Sequence, residues 1–257
     1  MRPLDDAPVP FHELLPSGDH LLRVNRWLGR PDVAAVVLYQ APRPPGADDV
    51  RRWAEGLRQL GYRQAVTSAM AEPEQAPFLA AGFGVRERLH LLSHALDDVP
   101  AAPRRVLLRR PRRAERPGIL AVDAAAFGDR WRFDGTALAD AIGATPFSRQ
   151  RIATDEDGAV IAYAVCGRTQ ARGYLQRLAV APHARRQGLG AALVVDALRW
   201  MRRHGAEQAL VNTQYGNEGA LALYEGLGFR PEPTRLAVLE VDLAAIGPPT
   251  DRAGPGA

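Results

Sequence analysis

Apolar and polar positions along the second half of the chain alternate between helix and strand periods. Ile119 to Phe127 and Thr136 to Ile142 carry helical patterns, and Val106-Leu107-Leu108 predicts a short strand. The turn signal Asp155-Glu156-Asp157-Gly158 precedes an apolar run, Ala159 to Cys166, that reads as a buried strand. Tyr174 to Val180 predicts the next strand, ending before Pro182. From Gly188 to His204 the residues Leu189, Leu193, Ala197, Trp200 and Met201 recur at helical spacing, and Gly205 stops the helix. Ala209-Leu210-Val211 gives another strand. Asn217, a good N-cap, opens a helix through Ala220, Leu221 and Tyr224 that ends at Gly226 or Gly228. Leu236 to Leu243 alternates and makes a last strand. The pattern is a mixed α/β domain.

The first hundred residues repeat part of this order. Val33 to Tyr39 is a strand, and Val50, Trp53, Leu57 and Leu60 form an apolar stripe behind an Asp48/Asp49 cap. Gly61-Tyr62-Arg63-Gln64-Ala65 lines up with Gly205-Ala206-Glu207-Gln208-Ala209. Phe78-Leu79-Ala80-Ala81-Gly82-Phe83 lines up with Tyr224-Glu225-Gly226-Leu227-Gly228-Phe229. A diverged internal duplication is the preferred reading.

Turn-rich segments at 42–49, 97–103 and 247–257 punctuate the chain, and the charge balance changes at the second. Residues 1–100 carry 11 Arg and 13 acids, whereas 101–257 carry 22 Arg and 16 acids. The expected organisation is a smaller unit at 1–100, a complete domain at 104–246 and a disordered tail at 247–257. The densest basic stretch, Arg104 to Arg116, has no interleaved aromatic residue, so it reads as a solvated edge and linker rather than a nucleic-acid surface. One cysteine, Cys166, forbids an internal disulfide and fits a reducing cytoplasm. The expected protein is cytoplasmic and spans no membrane, because no apolar run approaches roughly 18 residues.

All 33 basic residues are arginine. Without lysine there is no Schiff-base chemistry and no P-loop lysine. An anion site must then rest on backbone N–H groups and guanidinium forks. The stretch from Leu178 to Ala191 offers that arrangement: an apolar strand, a loop with Arg185, Arg186 and Gln187, and then Gly188-Leu189-Gly190-Ala191 opening a helix. The first helical turn presents N–H groups with no internal partner, and the helix dipole adds positive character. Glycines at 188 and 190 would let a phosphate approach that backbone. The dinucleotide pattern fails at its third glycine, where Leu193 stands.

Arg185-x-x-Gly188-x-Gly190 after Leu178-Ala179-Val180 resembles the coenzyme A signature of the GNAT N-acetyltransferase superfamily. Asn217, Ala220, Leu223-Tyr224 and Leu227-Gly228-Phe229 are similar to its second block, so the resemblance covers about residues 104–243. It implies a GNAT fold of α/β class with a mixed sheet, and a degenerate GNAT-like N-terminal half that resembles one repeat of mycothiol synthase. The C-terminal domain resembles the ribosomal-protein N-terminal acetyltransferases. The resemblance further implies acetyl-CoA as acyl donor, an amine acceptor and no metal. Leu178, Ala179 and Val180 would pair with pantetheine. Arg185, Arg186, Gln187, Gly188, Leu189, Gly190 and Ala191 would hold the pyrophosphate. Asn217 would bind the pantetheine arm, and Tyr224 would protonate the leaving thiolate.

Two departures stand out. The family's usual glutamate positions hold Asn212 and Tyr174, leaving Asp134, Glu156, a water chain or a weakly basic amine to manage the proton. In the first half the corresponding loop is Pro42-Arg43-Pro44-Pro45-Gly46, whose prolines remove N–H donors; Ala71 and Phe78 stand near the Asn217 and Tyr224 positions, so coenzyme A binding is not expected there. The expected activity is acetyl transfer to a primary amine of a small molecule or a protein N-terminus, by a monomer or homodimer. The alternative is a non-catalytic acetyl-CoA sensor.

Overall fold

The computed structural model describes residues 13–103 and 106–247. The expected tail, apart from Gly247, lies outside the described residues, as do Arg104 and Arg105. The chain divides into two compact units, one made of 1–89 and 234–257 and the other of 90–233.

The first unit opens with β1 (Glu13–Ser17), β2 (His20–Arg26) and β3 (Val33–Gln40), paired antiparallel in sequence. Helix α1 (Ala47–Gln59) follows, then β4 (Gln64–Thr67), β5 (Met70–Ala71), α2 (Glu72–Ala80) and the start of β6 (Gly84–His94). Strand β4 runs parallel to β3, with Val33 opposite Gln64. The α1 stripe buries Val50, Trp53 and Leu57 against Leu22, Ala34, Ala65 and Leu239. Leu60, expected on that stripe, falls at the C-cap, where the chain leaves the helix, and is exposed.

The second unit holds α3 (Arg116–Trp131), α4 (Gly135–Gly143), β7 (Phe147–Thr154), β8 (Val160–Thr169) and β9 (Arg172–Val180). It continues with α5 (Leu189–Arg203), β10 (Gln208–Gln214), α6 (Glu218–Gly226) and the first residues of β11 (Arg230–Asp242). Strands β7, β8 and β9 are antiparallel, and β10 joins β9 in parallel. The apolar face of α5 buries Leu193, Ala197, Leu198 and Met201 in a core shared with Ile152, Val165 and Val211.

Two expectations change, and one strand was not expected. Residues 106–108 form no strand; the residue that follows, Arg109, makes an isolated bridge to Ile152, and Pro111, which has no N–H to donate, lies two positions on. Strand β7 was not legible, since Arg149, Gln150 and Arg151 interrupt its apolar pattern; Arg149 instead forks onto Asp196 at 3.0 and 3.1 Å. The unit boundary falls at 89/90 rather than at 97–103, and β11 crosses back at 233/234 because Glu240 and Val241 pair with Val66 and Ala65.

The same hydrogen bonds recur in both units. Arg63 and Gln64 N–H donate to Asp32 O, as Glu207 and Gln208 N–H donate to Ala171 O. Tyr62 N–H meets Leu57 O, as Ala206 N–H meets Met201 O. Phe83 N–H donates to Phe78 O at 3.0 Å, and Phe229 N–H to Tyr224 O at 3.1 Å. Phe78 therefore occupies the local geometry of Tyr224.

Candidate active site

The site lies in the second unit. The parallel ladder between β9 and β10 holds only over Arg172, Gly173 and Tyr174, opposite Gln208, Ala209 and Leu210. Beyond Tyr174 the two strands part. Leu178, Ala179 and Val180 remain paired with β8 on their other side, opposite Ala164, Tyr163 and Ala162. Their β10-facing edge can thus accept an extended ligand that hydrogen-bonds as an added strand.

After β9 the chain makes a short 3-10 turn at Pro182–Ala184 and reaches the exposed Arg185, Arg186 and Gln187. Arg186 has φ +63° and Gly188 φ +81°, while Gln187 between them does not share that sign. Such alternation turns successive N–H groups toward one concave side, a nest suited to an anion. Gly188 is the N-cap of α5 and provides no side-chain cap, so the first-turn N–H groups of Leu189, Gly190 and Ala191 face outward. Within the helix, the first bond runs from Ala192 N–H to Gly188 O at 2.9 Å.

The two glycines have reasons that differ from the sequence expectation. Gly188 is needed for its left-handed φ, and a Cβ there would touch Pro103 at 3.4 Å. A Cβ at Gly190 would meet Leu223 Cδ2 at 3.2 Å and Val180 Cγ2 at 3.8 Å. It would therefore point into the packing of α5 against α6 and β9 rather than into an anion's space. Room for an anion comes from the uncapped helix end itself.

Asn217 caps α6, its side-chain oxygen accepting from Ala220 N–H at 3.3 Å, and it is exposed. Its amide nitrogen is left to donate elsewhere. Seven residues on, Tyr224 lies two turns along the same helix face. Tyr224 is 5% exposed, packs against Phe229 with ring centroids 5.6 Å apart, and has its phenol pushed up by burial. It stays protonated throughout the neutral range. Asn212 is exposed on β10, and Tyr174 is half-buried at the last paired position of β9. Of the carboxylates considered for the proton, Asp134 caps α4 by accepting from Ala137 N–H at 2.8 Å, and Glu156 is exposed in the β7–β8 turn. Cys166 is buried, its thiol pushed up to about 12 by desolvation, so it is an inert core residue.

Two features near the opening were not read from the sequence. Asp123, fully buried on α3, accepts from Tyr163 Oη at 2.6 Å, Phe133 N–H at 2.5 Å and both arms of Arg177. Arg177 also donates to Trp131 O and lies between the rings of Phe127 and Phe133, 3.4 and 3.8 Å from their centroids. A buried acid within the apolar Ile119–Phe127 helix was the available signal. The second feature is a bulge: Val165 faces Arg177 and Cys166 faces Leu175, leaving Gln176 as an extra residue in β9.

The equivalent loop of the first unit is already filled. The Asp49 carboxylate accepts from Arg43 at 2.7 and 3.0 Å, from Arg52, and from Gly46 N–H at 2.8 Å. Arg43 also reaches Asp19, and its carbonyl sits 3.1 Å from His20 Nε2. Asp49 thus caps α1 from inside the first turn, while the N-cap is Gly46 rather than Asp48 or Asp49. The Arg43 hydrogen bond holds the Asp49 carboxyl well below the usual carboxylate range. At the Asn217 position, Ala71 has no side-chain cap.

Residues 121–229 match the acetyltransferase (GNAT) family model. An N-alpha-acetyltransferase 30 of Schizosaccharomyces pombe is 38% identical over 82 residues, covering 30% of this chain and 55% of that protein. The Arabidopsis thaliana N-alpha-acetyltransferase MAK3 is 40% identical over 58 residues, 23% of this chain and 30% of that protein. The matched part thus spans about half, or less, of these relatives. Among solved structures, a GCN5-related N-acetyltransferase from Sphaerobacter thermophilus superposes with TM-score 0.62 at 16% identity, over 88% of this chain and 77% of that one. A tandem GNAT protein from the clavulanic acid biosynthesis pathway superposes with TM-score 0.61 at 20% identity, over 89% and 79%. These likenesses establish the fold. Among the described residues, no helix is long and apolar enough to cross a membrane.

Proposed function

We propose that this chain, whose residues 121–229 match the acetyltransferase (GNAT) family model, is an acetyltransferase that transfers an acetyl group from acetyl-CoA to a primary amine. The observation that carries the reading is the early end of the β9–β10 ladder next to an uncapped helix N-terminus. An open strand edge and an anion nest in sequence suit a ligand with an amide-bearing arm and a pyrophosphate.

Acetyl-CoA would supply an activated thioester carbonyl. The N–H groups at the start of α5, with Arg185 and Arg186, would hold its pyrophosphate. Leu178, Ala179 and Val180 would bind its arm along the open edge, and Asn217 would donate from the amide nitrogen that capping leaves over. A backbone N–H of this strand would stabilise negative charge growing on the carbonyl oxygen. Tyr224, kept protonated by burial, would give its proton to the departing thiolate.

The acceptor we favour is an α-amine. Asn212 and Tyr174 offer no carboxylate at the usual base positions, and an α-amine, with a pKa of about 8, supplies its own neutral fraction near neutral pH. The N-alpha-acetyltransferase relatives favour the same class. The first unit we read as a diverged copy that binds no coenzyme A, because Asp49 occupies its loop.

The test is acetyl-CoA turnover against peptides with free N-termini, amino sugars and polyamines, followed by coenzyme A release. Turnover with the peptides supports the assignment. Acetyl-CoA binding without release for any amine would favour a non-catalytic sensor, which the absent carboxylates also permit.

A further inference from the structure

Gln176 sits where several structural facts converge. It is the bulge residue of β9, two positions past the last β9–β10 pair at Tyr174. Both polar atoms of its side chain, Nε2 and Oε1, are buried and have no hydrogen-bond partner among the described residues. A buried amide with neither its donor nor its acceptor satisfied is costly and calls for an explanation, of which a ligand that completes its hydrogen bonds is one. The bulge is held firmly by its neighbour: Arg177 is fixed by Asp123, by Trp131 O and between two phenylalanine rings. Gln176 therefore belongs to a preorganised segment rather than a loose one.

We infer that the side-chain amide of Gln176, unpartnered at the bulge where β9 leaves β10, binds the acyl thioester end of the coenzyme A ligand. The inference rests on the proposed cofactor site. A ligand lying along β9 from the nest at 186–188 passes Val180, Ala179 and Leu178 in turn. Continuing in that direction, the next residues are Arg177, committed to Asp123, and Gln176. The Nε2–H donates to the thioester carbonyl oxygen, and Oε1 accepts an N–H of the incoming amine. Gln176 is then a specificity residue for the acylated over the free cofactor, and no proton leaves or enters its amide.

Calorimetry of the full chain with acetyl-CoA and with free coenzyme A tests this, using the wild type and Gln176→Met, together with melting of the ligand-free proteins. The expected result is that Gln176→Met binds acetyl-CoA about 3- to 10-fold more weakly, the equivalent of one hydrogen bond. Free coenzyme A affinity stays within experimental scatter, and the ligand-free variant melts at the same or a higher temperature because an unsatisfied amide is gone. An unchanged ratio of acetyl-CoA to coenzyme A affinity overturns the inference, as does a lowered melting temperature, which would mean the amide has a structural partner. A wild type that binds neither ligand overturns the cofactor site itself, an outcome distinct from an unchanged ratio.

Discussion

The guanidinium of Arg177 and the carboxylate of Asp123 form a two-point ion pair, Nε to Oδ2 at 2.7 Å and Nη2 to Oδ1 at 2.9 Å, with the carboxylate fully buried. The pair ties β9 to α3 immediately beside the bulge. Arg177→Met leaves Asp123 charged and buried with only Tyr163 Oη and Phe133 N–H as donors. Breaking such a pair costs about 3–5 kcal/mol. Urea unfolding would measure it, and a loss under about 1 kcal/mol would show that the pair is dispensable.

Gly188 and Gly190 should respond differently to alanine. Gly188→Ala forces a side chain into the left-handed region, at about 1–2 kcal/mol, and distorts the nest. Gly190→Ala asks Leu223 Cδ2 to retreat by a few tenths of an ångström, and that flexible end can move. The expected outcome is a tenfold or larger loss of acetyl-CoA affinity for Gly188→Ala, and a smaller loss for Gly190→Ala. Equal affinities for both variants and the wild type would remove the nest from the cofactor site.

Tyr224→Phe should retain acetyl-CoA affinity while lowering kcat by about 10²–10⁴, the range for a lost general acid. Burial raises the folded-state phenol pKa, so its protonated form is held well past the ordinary value near 10. Consequently the wild-type rate should show no fall attributable to Tyr224 up to pH about 10. The same sign makes its contribution to stability complete below the unfolded-state pKa and lost as pH rises through the folded one. Steady-state kinetics across pH would check the first point, and urea unfolding over the same range the second.

Acid should act through Asp49 in the first unit. Its folded-state pKa is depressed, chiefly by Arg43 and further by Gly46 N–H and Arg52, so it adds stability above the unfolded value of about 4 that fades as pH falls toward the folded one. Asp49→Asn should flatten that part of the profile, with a urea midpoint that changes less than the wild type's between pH about 5 and about 2. Parallel profiles would discount the cluster.

One acetyl-CoA should bind per chain. The first unit meets its loop cation and the N–H of its N-cap residue Gly46 with Asp49, and places Phe78 in the local geometry of Tyr224. A calorimetric stoichiometry near two would contradict the reading of a silent first unit.

Much of this arrangement was legible in the order of residues. The strand, basic loop and glycine-opened helix at 178–191 are local, because capping, φ preference and apolar period act over a few residues. The Asn217-to-Tyr224 spacing is likewise local, as is the echo between Phe78–Phe83 and Tyr224–Phe229. Strand β7 was not legible, since two of the polar residues that interrupt its pattern, Arg149 and Arg151, are accommodated by a distant partner, Asp196. The assignment of most of β11, from Thr234 on, to the first unit was also hidden, because pairing of Glu240 with Val66 joins positions far apart in sequence.

What the sequence determined by itself was a set of chemical options: backbone and arginine for an anion in place of lysine, a protonated phenol, and no carboxylate at two positions that would usually hold one. The tertiary structure decided where those options are exercised. It ended the β9–β10 ladder at Tyr174, filled the first unit's loop with Asp49, turned the space beside Gly190 toward Leu223, and left the side-chain amide of Gln176 without a hydrogen-bond partner among the described residues. Local preferences are fixed by neighbouring residues, whereas burial, pairing and their absence depend on which distant segments the fold brings together.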